Sequence, residues 1–530
     1  MSEGTPQVQT AGHVLERARW AARAFARYSA ADVQRIVAAV AEAGHRDARH
    51  YAEWAVRETG FGVVEHKTLK NEACSRGIVA EYAGEDFATP RIDAARKIVE
   101  VPRPAGVVLA LTPSTNPVAT VYFKVLLSLM TRNAVVISPH PMARECCNAA
   151  AAALAEAAVA AGAPDGVVQC VAEPTVPMVT ALMEDPRTDV ILATGGTAMV
   201  RAAYSSGNPA IGVGPGNVPV LVDASADLKA AARRIVESKA FDNSVLCTNE
   251  SVLIVEDAVA DRLLREMERC GAAVLDRADT ARLSAYVFPD GRLNVDVVGR
   301  SASWIAQQAG VRAGPRTTVL LGSFDVAVPE EPMTHEKLSP VLGVLRVPDA
   351  QRGIEAARAV VRIAGAGHSA AIHSTDPGTI MEYAATVPVL RVAVNVGSST
   401  GSSGLDTNLA PTMTVGTGFV GRSSLGENLH PRHLVNWTKI AYNADASVPM
   451  GDFAGLSPWR DQTGPVPGYP VASNDRSATA APAPGRTLRT ERIVADALQF
   501  RGTRHNGDDE RFRAEIRRLV LEELSQLRKG

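Results

Sequence analysis

The sequence has no strong excess of charge of either sign: 55 Lys and Arg stand against 57 Asp and Glu, a formal net charge of -2. Electrostatics therefore gives no reason to expect nucleic acid or an anionic membrane as a partner. The first residues lack a basic region followed by an apolar core, so no secretory signal is expected. A long uncharged apolar run is also missing. The mostly alanine stretch 149–163 carries Glu156, which suits a packed helix better than a membrane span. The six cysteines, Cys74, Cys146, Cys147, Cys170, Cys247 and Cys270, contain no CxxC pair. Free thiols in a reducing cytoplasm are expected, with no disulfide framework and no metal site.

What is present is the composition of an ordinary globular protein, 46% hydrophobic and 21% charged over 530 residues. That length is too great for one compact core and implies two or more domains. The N-terminal part reads as helices: Ser29 and Asp32 resemble a capping box, and Gly44 is a natural C-terminal stop. From Ile98 the pattern changes. An alternating stretch, 98–101, precedes the continuous apolar run 107–111, which fits a strand buried on both faces. A helical stretch 118–130, a strand 134–137, the alanine-rich helix and a strand 167–171 follow. Strand and helix in alternation predict a parallel α/β sheet. The pattern resumes after Asp223 with a helix 228–241 and a strand 251–255, predicting a second α/β unit. Residues 456–486 are rich in Pro, Gly, Ser and Ala, as a linker is. Beyond them Phe512, Ile516, Leu519, Val520, Leu524 and Leu527 recur at helical spacing, an amphipathic helix on a tether.

Five segments carry chemistry. LTPSTNP, 111–117, stands at the carboxyl end of an apolar strand, where ligands of open parallel sheets bind. Asn116 there either caps the next helix, with Pro117 as its first residue, or donates its amide to a developing oxyanion. A cap uses the side-chain oxygen and leaves the NH2 free, so both can hold. ATGGT, 193–197, is a second strand-to-helix turn whose glycines would admit a phosphate or a nicotinamide, although GxGxxG is absent after the first strand. IGVGPGN, 211–217, is either a loop or a place of close backbone approach. In FDNSVLCTNE, 241–250, Cys247 is either a small buried hydrophobe or a nucleophile needing a lowered pKa or a nearby base. No His is adjacent. In MTHEKLSP, 333–340, Glu336 either faces solvent or accepts from a ribose diol.

Together these segments resemble the aldehyde dehydrogenase superfamily, and within it the CoA-acylating branch, over about 33–442. SPHP at 138–141, ATGGTAMV at 193–200, AIGVGPGN at 210–217, FDNSVLCTNES at 241–251, HEKLSP at 335–340 and GHSAAIHS at 367–374 join LTPSTNP in the right order. The resemblance implies an α/β, aldehyde dehydrogenase-like fold. Its parts are a Rossmann-type cofactor domain over 1–223, a catalytic domain over 224–412, a return and oligomerisation segment over 413–455, a flexible linker over 456–487 and an extension with the amphipathic helix over 488–530. It implies that Cys247 is the catalytic nucleophile and Asn116 the oxyanion asparagine. Thr112, Pro113 and Ser114 would meet cofactor and substrate, Gly195 and Gly196 the phosphates and nicotinamide, and Glu336 the nicotinamide ribose. Ser138, Pro139, His140, Gly214 and Leu338 complete the expected cofactor set. Ser138 falls where hydrolytic members carry a lysine facing the adenosine ribose, so that lysine does not decide between NAD and NADP; NAD is expected, with NADP left open.

Hydrolytic members also carry a glutamate in the segment matching 211–217, where it activates water. Here the nearest match is Gly212, and 210–221 contain no acid. Water attack on a thioester should then be slow, whereas a thiol such as CoA needs less help. The resemblance thus implies oxidation of a small aldehyde to acyl-CoA through a thioester on Cys247. The alternatives are a hydrolytic enzyme with another base, a relative of the glutamyl-phosphate reductases, and a non-catalytic shell-docking protein; intact Cys247, Asn116 and Glu336 argue against the last. A homodimer or homotetramer is expected. The tail resembles the encapsulation peptides of bacterial microcompartments and would place the enzyme in the cytoplasm inside such a shell, bound to shell or cargo proteins; a helix docked on its own oligomer is the alternative. Six acids and six bases in 508–530 make membrane attraction an unsuitable driver.

Overall fold

The computed structural model describes residues 6–459 and Tyr469. Nearly all of the expected linker and the whole tail helix lie outside the described residues. Two short strands come first, β1 (Arg91–Asp93) and β2 (Ile98–Pro104). Then β3 (Val107–Thr112), β4 (Ala134–Pro139), β5 (Val168–Cys170), β6 (Val190–Thr194) and β7 (Ala210–Val213) form a parallel sheet ordered β5-β4-β3-β6-β7. Seven more strands, β8 (Val218–Val222), β9 (Glu250–Glu256), β10 (Ala272–Val274), β11 (Val319–Ser323), β12 (Val341–Val347), β13 (Ala370–His373) and β14 (Val392–Val394), form a second parallel sheet ordered β10-β11-β12-β9-β8-β13-β14. Last, β15 (Val435–Ala441) returns to pair antiparallel with β2, which also pairs with β1.

The continuous apolar runs become strands with helices on both faces, as such runs predict. Every residue of β3 and β4 is buried. In the second sheet successive residues divide between two cores. Val220, Val222, Leu253 and Val255 pack with the helices Leu228–Ala240 and Asp257–Arg269. Leu221, Val252 and Ile254 pack on the other side with the helices Arg277–Val287 and Ala350–Ile363. The alternation is the period-2 geometry of a strand. Among the described residues no helix is long and apolar enough to cross a membrane.

One sequence reading needs correction. Ser29 does cap the helix Ala30–Arg46, accepting the Asp32 N–H, but Gly44 does not end it. Gly44 sits inside the last turns, where an added Cβ would meet the Tyr122 ring at 3.1 Å and Ser75 Cβ at 3.3 Å. The glycine serves close helix packing and not termination. β8 pairs with β13 and β9 of the second sheet, and residues 214–217 join it to β7 of the first.

In the first sheet β4 and β5 extend to one side of β3, and β6 and β7 to the other. The order reverses between β3 and β6, and the crevice at the carboxyl ends of those two strands is where open sheets of this kind bind ligands.

Candidate active site

Strand register gathers the first group of residues. Thr112 pairs with Pro139, Leu111 with Ala193, and Thr194 with Val213. The turns that carry Pro113 and Ser114, His140, Gly195 and Gly196, and Gly214 therefore share one sheet edge. Room for a ligand is visible in the backbone: a Cβ on Gly214 would meet nothing within 4 Å, and one on Gly195 only Met199 at 3.8 Å. The helix Thr197–Ser205 begins at Gly196 with no side-chain cap, so its N-terminal N–H groups are available to an anion. The Thr112 hydroxyl is buried with no hydrogen-bond partner among the described residues. A dinucleotide's phosphates and sugars fit this edge. Two expected members behave differently. Ser138 stays buried inside the sheet, opposite Leu111. Leu338 takes a left-handed backbone, φ 45°, and its carbonyl accepts the Gly299 N–H at 2.9 Å.

Cys247 lies in the turn before β9. Three residues just upstream, Asp242, Asn243 and Ser244, have left-handed φ of 50°, 51° and 64°. Such strain persists only where surroundings impose it. The Asp242 carboxylate accepts the Val63 N–H at 2.7 Å, and the Asn243 amide donates to the Gly299 carbonyl at 2.9 Å. Downstream, Thr248 donates to the Ser399 carbonyl at 2.8 Å and Asn249 to the Ser238 carbonyl at 2.6 Å. As a residue Cys247 is half-buried. Burial of its surroundings, with the Glu336 carboxylate adding to it, pushes Cys247 up to about 12. Its own N–H and the Arg391 guanidinium act in the opposite direction. In this state Cys247 is a thiol and not a thiolate at neutral pH.

Asn116 stands at the start of the helix Pro117–Met130, but its side chain makes no capping bond. Its oxygen instead accepts the Lys70 ammonium, and its NH2 reaches toward Thr115 Oγ1 at 3.2 Å and the Val245 carbonyl at 3.5 Å. The amide's donor side thus faces the turn of Cys247. Behind it a cavity of about 10 Å³, lined by Lys67, Lys70 and Asn116 among others, has space for about one water.

The third glycine cluster joins the two groups. A Cβ on Gly216 would lie 2.0 Å from the Cys247 carbonyl oxygen and 3.3 Å from Glu336 Oε1. Gly216 therefore sits against both the Cys247 backbone and Glu336. Gly212 does not: a side chain there would point into Val200 at 2.5 Å and the Tyr204 ring at 2.8 Å. Burial pushes the Glu336 carboxyl up to about 8, with Lys239, the Gly216 N–H and Lys337 opposing. The Lys337 ammonium fastens this loop, donating to the carbonyls of Ser251, Met333 and His335 at 3.0, 2.8 and 2.7 Å.

The lysines were not singled out in the sequence. Lys67 and Lys70 sit on the helix Val64–Glu72 and both hold the Asp242 carboxylate. Their only advance signal was a spacing of three in HKTLKNE, which puts both on one helix face. Among the described residues no group of three or more His, Cys, Asp or Glu is placed to hold a metal ion.

A model of the aldehyde dehydrogenase family matches residues 5–275. Among relatives, the sulfoacetaldehyde dehydrogenase (acylating) of Cupriavidus necator is 37% identical over 453 residues, 83% of this chain and 91% of that one. Among solved structures, an acetylating aldehyde dehydrogenase from Geobacillus thermoglucosidasius superposes with a TM-score of 0.81 at 35% identity, over 83% of this chain and 97% of that one. A propionaldehyde dehydrogenase from the fucose utilisation bacterial microcompartment of Clostridium phytofermentans superposes with a TM-score of 0.74 at 27% identity, over 82% and 97%. The chain spans about half the length of the bifunctional aldehyde-alcohol dehydrogenases it also matches, 49% of that from Escherichia coli K12.

Proposed function

The chain belongs to the aldehyde dehydrogenase family, and from that premise we propose that it converts a small aldehyde and CoA to acyl-CoA through a thioester on Cys247, with NAD or NADP as the second cofactor. The observation that carries the acylating reading is the composition of the segment pressed against the nucleophile. Residues 210–221 contain no acid, and Gly216 abuts the Cys247 carbonyl. No carboxylate there can prepare a water for attack on the thioester. The names of the acylating and acetylating relatives support the same reading.

The residues divide the work as follows. Cys247 Sγ bonds to the aldehyde carbon as its proton leaves for solvent. The carbonyl oxygen becomes an oxyanion, met by the Asn116 NH2 and the Cys247 N–H. Thr112–Ser114, Gly195–Gly196, Gly214 and Glu336 would hold a nicotinamide, which when bound would accept the hydride. Loss of hydride from the carbon re-forms the carbonyl as an S-acyl thioester. The CoA sulfur then bonds to the acyl carbon and the Cys247 sulfur leaves. One thioester replaces another, so the reaction runs in both directions.

The remaining proposals concern partners. A homodimer or homotetramer is supported by β15, exposed over most of its length at the rim of the antiparallel sheet. Residence inside a cytoplasmic microcompartment, through residues 488–530, is supported by the composition of that tail and by the microcompartment origin of the Clostridium phytofermentans neighbour.

The test is a spectrophotometric panel of small aldehydes with NAD or NADP, with and without CoA. The proposal expects sustained cofactor reduction only with CoA and none in Cys247→Ala. Equal turnover without CoA, with free acid as product, would replace it by the hydrolytic reading.

A further inference from the structure

Lysine has three donors and no acceptor, so the atom of Asn116 that faces the Lys70 ammonium must be its oxygen. The amide orientation is thereby forced rather than assigned, and the NH2 is left on the side of the Val245 carbonyl, two residues before Cys247. Lys70 is fully buried and also holds the Asp242 carboxylate. Asp242 belongs to the left-handed turn that delivers Cys247. One side chain therefore ties the expected oxyanion donor to the expected nucleophile. Lys67, one helical turn earlier, repeats the tie: it donates to the Thr115 carbonyl at 2.8 Å and to Asp242 at 3.1 Å. Two buried lysines face one carboxylate, and the adjoining cavity is lined by Asn71, Asn116 and apolar side chains, with no second acid. The cluster carries a formal excess of one positive charge when both lysines are protonated.

We propose that Lys70 is a positioning residue for the oxyanion site: its buried ammonium holds the Asn116 oxygen, turns the amide N–H groups toward Cys247 and polarises them. The proposal rests on the oxyanion role of Asn116 proposed above. An ammonium on the amide oxygen draws electrons from the nitrogen, and hydrogen bonds in series strengthen one another in a low-dielectric interior. The N–H that meets the oxyanion becomes a better donor, and the amide cannot flip. The stabilisation appears only as the oxygen gains charge, so it belongs in kcat and not in cofactor binding. A lysine that only supported the fold would act whether or not Asn116 were present.

The experiment is a double-mutant cycle of Lys70→Met and Asn116→Ala in the full chain, read as kcat, cofactor KM and thermal midpoint. Lys70→Gln is run beside Lys70→Met as the variant able to keep a neutral hydrogen bond. The proposal expects Asn116→Ala to lower kcat by about 10²–10³-fold and Lys70→Met to lower it by about 10–100-fold, with cofactor KM changed less than about threefold. In the Asn116→Ala background Lys70→Met should change kcat by less than about threefold, since the group it orients is gone. If Asn116→Ala itself changes kcat less than fivefold, the oxyanion role fails first. If Asn116→Ala is strongly impaired but Lys70→Met is not, or if the two losses multiply, the Lys70 proposal is overturned and Asn116 stands. Should Lys70→Met be insoluble, Lys70→Gln is read by the same criteria; insolubility of both would assign the residue to folding and overturn the proposal.

Discussion

Gly216→Ala perturbs a backbone contact shared by Cys247, the proposed nucleophile, and Glu336. The added methyl would sit 2.0 Å from the Cys247 carbonyl oxygen and 3.0 Å from its carbon. Non-bonded carbon and oxygen rarely approach below about 3 Å, so the two segments must part by about 1 Å. Neither has slack. Asn217, next to the substitution, donates to the Thr334 and Val360 carbonyls at 2.9 and 3.1 Å. Cys247 is followed by Thr248 and Asn249, both bonded to buried carbonyls. The displacement therefore falls on Cys247 itself. A misplacement of about 1 Å at a reacting group costs on the order of 10²-fold in rate, whereas overpacking of this kind costs about 1–3 kcal/mol and leaves the chain folded. CoA-dependent cofactor reduction at saturating substrates, with thermal unfolding alongside, reads both quantities. Gly214→Ala is the comparison: its methyl meets no protein atom within 4 Å, so it should raise the KM for the cofactor without altering the thermal midpoint. A Gly216→Ala enzyme that is folded and within threefold of the wild-type kcat would refute the idea that this contact sets the position of Cys247.

Other expectations follow from the same charges and contacts. In the cofactor-free enzyme Cys247 is held up near 12 by burial and then by Glu336, so iodoacetamide labelling of its peptide should rise about tenfold per pH unit from pH 7 to 10; a plateau below pH 9 would contradict that environment. Asp242→Asn leaves Lys67 and Lys70 without their carboxylate and should cost about 3–5 kcal/mol at pH 7 by urea unfolding. Burial alone would raise the Asp242 carboxyl, but Lys70 and Lys67 hold it below its usual 3.8. Its stabilisation is therefore present above about pH 4 and lost as pH falls through the lowered value, and a variant with the wild-type acid limb would argue against the pairing. Deleting the chain after Thr487 should leave activity within about twofold and abolish co-purification with shells, and residues 487–530 fused to a fluorescent protein should be recruited to them; loss of activity, or dissociation to smaller oligomers, would favour docking of the tail on its own enzyme.

The parallel sheets were legible because a strand buried on both faces leaves a continuous apolar run, and β3 and β9 are such runs. The site was legible where turns at strand ends carry unusual residues, as in LTPSTNP and IGVGPGN. Other features depend on contacts that no local pattern encodes. Gly44 read as a helix stop because glycine often is one, but Tyr122 is packed on it from 78 positions away in the chain. Of the two readings of Asn116, the cap fails because its oxygen accepts from Lys70, whose arrival depends on tertiary packing. The left-handed run 242–244 had a composition signal, since Asp and Asn tolerate that region, but nothing in FDNSVLC says that three such residues occur in succession. The pairing of β2 with β15 joins segments more than 300 residues apart.

The central claim, a thioester on Cys247 that is passed to CoA, is tested most directly by quenching the enzyme after one turnover with aldehyde and oxidised cofactor and weighing the Cys247 peptide. A thioester on Cys247 gives a peptide heavier by one acyl group when CoA is withheld, and its return to the free mass with one equivalent of acyl-CoA when CoA is added. An unmodified Cys247 peptide during turnover, or an acylated one that is cleared to free acid as fast without CoA as with it, would contradict the account.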